Sequence, residues 1–245
     1  MRSLKIIIVM LNIMLLVGCA GVPQPPVPLL DTYWEKQNQK LGVYIQQLEK
    51  PEFYMEGDVR LLDYAINAAV MSSATSHFEG LDVSDYDVLR GDINRHFLLQ
   101  GSDVELLMDD LKINDLAEYE DPNKEDTIYF AKKDYTAFKK KYGIDHLLVV
   151  YPKRVGLARP YQGFIPMGDP RAIFEVHGEL VDLNNNQLLW YADVLHANFS
   201  SGEWDEPPTF PGLTNGFYAA LEAVKKDVLT RLQKKAVKQA KLDVK

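Results

Sequence analysis

The chain has 245 residues, 47% of them hydrophobic and 25% charged, with a formal net charge of −8 at pH 7. That balance excludes a disordered chain and supplies core material for one sizeable globular domain. The single cysteine, Cys19, excludes an internal disulfide and any metal site built from several cysteines.

Arg2 and Lys5 precede an apolar stretch, Ile6 to Leu15, that Asn12 alone interrupts. A charged start, an apolar middle of roughly 7–15 residues and a small residue at the cut make a secretory signal. The stretch is shorter than the about 20 apolar residues that a membrane-crossing helix needs. The four residues Leu16-Val17-Gly18-Cys19 resemble the lipobox of bacterial lipoproteins, with Val17 bulkier than is usual. The resemblance implies cleavage between Gly18 and Cys19, a diacylglycerol on the Cys19 sulfur and a further acyl chain such as palmitate on its amine. Cysteine suits that role because its thiolate is a strong nucleophile. Each buried CH2 adds about 0.8 kcal/mol, so several chains hold firmly. Ala20 stands after the cysteine where an aspartate would redirect sorting. The resemblance therefore implies the periplasmic face of the outer membrane.

Residues 20–30 are rich in proline and read as a stiff tether at about 3.1 Å per residue. The expected organisation is a signal peptide over 1–18, a lipidated tether over 19–30, a folded domain over 31–235 and a basic tail over 236–245. Without Arg2 and Lys5 the charge is −10; residues 225–245 carry +6, which leaves −16 for residues 19–224. An acidic body is not expected to bind nucleic acid.

Residues 41–49 fit either a strand or a short helix. Over 58–80, Leu61, Leu62, Ala65, Ile66, Ala69 and Val70 recur at helical spacing with little charge, which predicts a mostly buried helix. A second helix is expected over 84–100, capped by Ser84, with a stripe of Val88, Ile93, Phe97 and Leu98 and a stop at Gly101. Val104 to Met108 reads as a strand, 115–128 as an acidic loop and Lys132 to Tyr142 as an amphipathic helix closed by Gly143. Ile144 to Tyr151 is a strongly apolar strand ended by Pro152. Arg171 to Leu183 and Gln187 to Phe199 form a hairpin through Asn184-Asn185-Asn186, since asparagine tolerates positive φ. Pairing Leu183 with Gln187 places Leu180 opposite Trp190 and Val176 opposite Val194 on one face, with His177 and Asp193 on the other. A last helix runs from Thr214 to about Lys241. The expected fold class is α+β, with helices packed on one face of a largely antiparallel sheet in a single main domain.

Five histidines show no metal-ligand spacing, no serine sits in a Gly-x-Ser-x-Gly elbow, and neither a phosphate loop nor an EF-hand pattern is present. No cofactor, metal or catalytic residue is assigned, and an enzyme is not expected. Residues 156–170 read as a long Pro/Gly-rich loop carrying Tyr161, Phe164, Ile165 and Met167; a second loop carries Trp204 and Phe210. Aromatic side chains on loops mark candidate partner-binding residues, with a lid over the core as the alternative.

The helix before Tyr142-Gly143-Ile144-Asp145-His146-Leu147-Leu148-Val149-Val150, the strand ending Val181-Asp182-Leu183, Leu188-Leu189-Trp190 and the closing helix together resemble periplasmic α/β lipoprotein domains. Those are the domains of the curli-secretion and penicillin-binding-protein-activator type, and the resemblance spans roughly 130–235. It implies a non-catalytic envelope protein that docks to others, sometimes as an oligomer, and carries over no functional residue. The expected function is that of a lipid-anchored outer-membrane lipoprotein acting as an assembly or accessory factor. Its partners would be the membrane, through Cys19, and an envelope protein, with a homo-oligomer as a further option. Two alternatives stand: a lipid-anchored periplasmic hydrolase using His177 and Asp193, and a module holding a small apolar ligand between sheet and helices.

Overall fold

The computed structural model describes residues 24–35, 39–121, 128–200 and 202–233. The signal segment, Gly18, Cys19 and the tail 236–245 lie outside them. In chain order the elements are β1 (Lys40–Ile45), β2 (Glu52–Asp58), α1 (Leu61–Glu79), α2 (Asp85–Leu99), β3 (Asp103–Leu106), α3 (Ala137–Tyr142), β4 (His146–Gln162), β5 (Ile165–Pro166), β6 (Arg171–Asp182), β7 (Gln187–Phe199) and α4 (Pro211–Arg231). Short 3-10 turns precede β1 and follow β3. No helix among the described residues is long and apolar enough to cross a membrane.

β4 is the axis of the single sheet. Its first half, from His146 through Val150, is buried on both faces, which explains the unbroken apolar run. β6 pairs antiparallel with it along nearly its whole length, and β7 pairs antiparallel with β6. On the other side β1 pairs parallel with residues 146–150 of β4, and β2 pairs parallel with 156–162. The chain from 40 to 58 thus follows β4 end to end, broken by the loop at 46–51. β3 adds outside β1, and β5 closes a tight hairpin on β4.

The fold class is α+β, with the long helices on one face of a largely antiparallel sheet. α1, α2 and α4 cover that face, where Phe78, Phe97, Phe217 and Leu221 meet Leu148, Leu157, Phe174, Leu180 and Trp190. The opposite face carries a smaller core. There Leu147, Val149, Val181 and Leu183 are covered by Phe138 of α3, Tyr135, Leu107 and Ile113.

Several elements differ from expectation. The segment 156–170 is regular structure rather than a loop: β4 continues to Gln162 and turns at Gly163, which adopts φ 62°. Gly156, at φ 139°, lets β2 approach the strand closely. Pro152 does not end β4 because it sits at a bulge between the β1-paired and β2-paired halves. The helix expected over Lys132–Tyr142 starts only at Ala137. Upstream, the Tyr135 N–H is taken by Asn186 Oδ1 and Asp134 accepts from Thr136. α2 lacks the Ser84 side-chain cap, and Tyr86, Leu89, Ile93 and Phe97 form its buried stripe while Val88 and Leu98 face out. α1 is only half buried: Asn67, Met71, Ala74 and Phe78 face the sheet, whereas Leu61, Leu62, Ile66 and Val70 are exposed. The strand β2 had no expectation.

The hairpin β6–β7 has the expected pairs Leu180 with Trp190, Val176 with Val194 and His177 with Asp193. The premise of Leu183 opposite Gln187 is corrected. A bulge at Leu189 shifts the register by one, so Asp182 pairs with Gln187. Residues 27–29, within the stretch expected to be a tether, lie against the fold. Val27 exchanges both backbone hydrogen bonds with Tyr191, at 3.0 and 2.9 Å, and Leu29 is buried in the main core.

Candidate functional site

Phe164, Ile165 and Met167 are exposed by 60, 54 and 60% at the tip of the β4–β5 hairpin. The tip is held at several points. Asn67 of α1 donates to the Gly163 carbonyl at 3.1 Å, and the Met167 N–H donates to the Pro160 carbonyl at 2.9 Å. Three large apolar side chains on a fixed hairpin form a surface that gains from being covered. The other three candidates are placed differently. Tyr161 continues the inward stripe of Val155, Leu157 and Arg159 and is buried; Phe210 is buried at the entry to α4; Trp204 is half-buried.

Arg159, which sequence reasoning did not single out, joins the two segments. It is 7% exposed. Its Nε donates to the Gly168 carbonyl at 2.8 Å, and Nη1 lies 3.6 Å from the Met71 sulfur. Its guanidinium sits over the Trp204 ring at 4.8 Å and the Tyr161 ring at 5.8 Å. Cation–π contacts of this kind contribute about 0.5–2 kcal/mol, more as water is excluded. The hairpin and the Trp204 segment therefore meet through one cation. Burial pushes the Tyr161 hydroxyl above its ordinary range, and Arg159 opposes that.

The second feature lies on the opposite face of the sheet. His177 and Glu179, both 6% exposed, point into a cavity of about 270 Å3 whose wall includes Phe130, Tyr135, Tyr151, Tyr191 and Gln24. His177 Nδ1 lies 2.9 Å from Asp193 Oδ1, so the cross-strand pair expected on the outer face is present, with His177 buried and Asp193 exposed. The Tyr151 and Tyr191 rings flank the imidazole, at 4.6 and 4.8 Å between centroids. The Tyr135 hydroxyl donates to Glu179 Oε1. Lys153 reaches Asp193 at 3.2 Å and Glu175 at 3.6 Å. Burial and the nearby Glu179 push Tyr135 and Tyr151 up, and burial with Asp193 pushes Tyr191 up to about 12. Burial also acts to raise Asp193, but the hydrogen bond from His177 and the charge of Lys153 outweigh it and hold the carboxyl below its usual range.

Sequence reasoning found His177 and Asp193 but missed Glu179 and the tyrosines. The register carried the signal, because Tyr151 pairs with His177 and Tyr191 with Glu179. His146 is buried against Tyr33, and His196 lies 3.3 Å from Asp227. Among the described residues no group of three or more His, Cys, Asp and Glu is placed to hold a metal ion. Between the sheet and the helices the rings of Phe78, Phe174 and Phe217 pack on one another.

No family model matches the chain, and no curated protein does. Solved structures that resemble it include the PelC dodecamer from Paraburkholderia phytofirmans, with 15% identity and a TM-score of 0.35, covering 86% of this chain and 96% of that one. Lipoprotein GNA1162 from Neisseria meningitidis has 13% identity and a TM-score of 0.27, covering 76% and 99%. Protein XCC0632 from Xanthomonas campestris has 14% identity and a TM-score of 0.34, covering 85% and 90%. Likeness of this size leaves the functional reading to the residues themselves.

Proposed function

We propose that this chain is a lipid-anchored lipoprotein of the bacterial outer membrane, facing the periplasm, and that it serves as a non-catalytic accessory factor by docking an envelope protein. The observation that carries the docking role is the hairpin tip, where Phe164, Ile165 and Met167 are exposed on a backbone held by Asn67 and Arg159. Anchoring is supported by the lipobox at Leu16–Cys19 and by the proline-rich stretch that follows it.

Two measurements test the reading. Membrane fractionation with intact-mass analysis should find wild type in the outer membrane with an acylated Cys19 at its start, and Cys19→Ala elsewhere. A soluble, unacylated wild type overturns the anchor. For docking, envelope crosslinking should yield a discrete adduct that Phe164→Ala with Met167→Ala loses while the fold is kept. An adduct unchanged by that pair overturns the hairpin as the docking surface.

A further inference from the structure

β7 ends the sheet, and its outer edge is open over residues 193–199. Val27 exchanges both backbone hydrogen bonds with Tyr191, so Tyr191 turns its N–H and C=O away from β6. Along a strand these directions alternate, and the register to β6 runs without a break from Trp190 to Phe199. Asp193, Leu195, Ala197 and Phe199 therefore point their N–H and C=O outward too. Among the described residues no strand joins them there. The segment before Val27 is ill suited to do so. Continued antiparallel, it would set Pro25 opposite Asp193 and Pro23 opposite Leu195, and proline has no N–H to give to their carbonyls.

The side chains say what fits. An open edge is a template for a further strand, and proteins usually blunt it with charge, proline or brevity. The opposite edge, β3, follows that rule: it has 4 residues, and Asp103 and Glu105 are exposed. Residues 194–199 hold no Lys, Arg, Asp, Glu or Pro. Leu195 and Phe199 stand 48 and 64% exposed on the face away from the long helices, with exposed Ala197 between them. That spacing is complementary to its own reverse. With Ala197 against the partner's Ala197, Leu195 lies opposite the partner's Phe199 on both sides of a twofold axis, and each pair exchanges two backbone hydrogen bonds. Asp193 then lies beyond the paired stretch, so two acidic chains meet along a line without carboxylates. Sliding one copy by two residues would set Asp193 against the partner's Phe199.

We infer that two copies of the chain pair edge to edge through β7, antiparallel about a twofold axis at Ala197, so that one sheet runs across both. The test is disulfide trapping by mild oxidation in intact envelopes. Ala197→Cys places two thiols at the axis, where the Cα atoms of a hydrogen-bonded pair lie about 5.5 Å apart, within disulfide range. It should give a band of twice the mass that a reductant removes. Ser73→Cys, exposed on α1, should give none. Leu195→Lys with Phe199→Lys, added to Ala197→Cys, sets like charges opposite each other and should lose the band while the chain stays folded. If Ala197→Cys does not fold, Leu195→Cys with Phe199→Cys reports the same register. The chain without an added cysteine gives the baseline. If its Cys19 sulfur is free, the variants are made on Cys19→Ser, so failure of the lipid anchor does not imitate failure of this pairing. The proposal is overturned if folded Ala197→Cys stays monomeric. A thiol that then reacts with maleimide marks an open edge, and one that resists marks an edge taken by another segment or another protein. Equal bands from Ala197→Cys and Ser73→Cys, the sign of random collision, overturn it as well, as does a band that survives the lysine pair.

Discussion

At Arg159 the chain buries a guanidinium beside a carbonyl, a thioether and two aromatic rings, with no carboxylate among its described contacts. Arg159→Met keeps the apolar stem but removes the attraction to Trp204 and the bond to Gly168. We expect a loss of about 1–3 kcal/mol. We also expect faster cleavage after Glu203 by a glutamate-specific protease, because the Trp204 segment loses its tie. Unchanged cleavage would mean that Arg159 does not hold that segment. Gly156 is a second sensitive point. A side chain there meets the Glu52 backbone at a positive φ, so Gly156→Ala should cost upwards of about 1 kcal/mol by urea unfolding. At this scale the sequence was partly legible. Phe164, Ile165 and Met167 are exposed, whereas Tyr161 is buried. Reading 156–170 as a loop removed the alternation that places Tyr161 on the same side as Leu157.

α1 shows what an element's own pattern leaves open. Its more apolar stripe, Leu61, Leu62, Ile66 and Val70, faces outward, while the stripe with a polar member, Asn67, faces in. Hydrophobic spacing identified a helix but could not choose the side, because Asn67 is buried to bond Gly163, a contact 96 residues away. The consequence is a measurable asymmetry. Met71→Ala should lower stability by about 2–5 kcal/mol. Ile66→Ser and Val70→Ser together should stay within about 1 kcal/mol of wild type by urea unfolding, since each exposed change is worth about 0.5 kcal/mol or less. A large loss in the double variant would mean that the outer stripe is covered in the isolated chain. The β6–β7 hairpin was read more fully, because its alternation and asparagine turn are local signals. Only the bulge at Leu189 escaped, and it depends on how the turn meets the segment around Ala131, whose N–H donates to the Asn186 carbonyl.

Across the whole molecule, ionisable groups bracket the pH range of stability. The Lys139 ammonium and the Lys40 N–H hold Asp145 below the usual carboxylate range. Asp193 and Asp227 are also held low: burial opposes this, but His177 and Lys153 outweigh it at the first and Arg231 and His196 at the second. A depressed carboxyl stabilises the fold above the unfolded value near about 4, and that contribution is lost as pH falls through the folded value. Tyr33, Tyr86, Tyr135 and Tyr151 are raised, chiefly by burial. Their contribution is complete below about pH 10 and declines as pH rises further, because the unfolded chain ionises first. Urea midpoints should therefore fall on both sides of a plateau, and Asp145→Asn should differ from wild type at pH 7 but much less at pH 3. A midpoint independent of pH below 4 would contradict the acid arm. The layout of the sheet has a mechanical consequence. β4 spans about 55 Å if each residue rises about 3.3 Å, and its hydrogen bonds to β1, β2 and β6 lie across that axis. Tension applied between Val27, clamped to β7, and the hairpin tip at Gly163 passes through the β7–β6 and β6–β4 ladders and loads their bonds in shear. They must yield together rather than one at a time, so the domain transmits a pull along its length as a stiff rod.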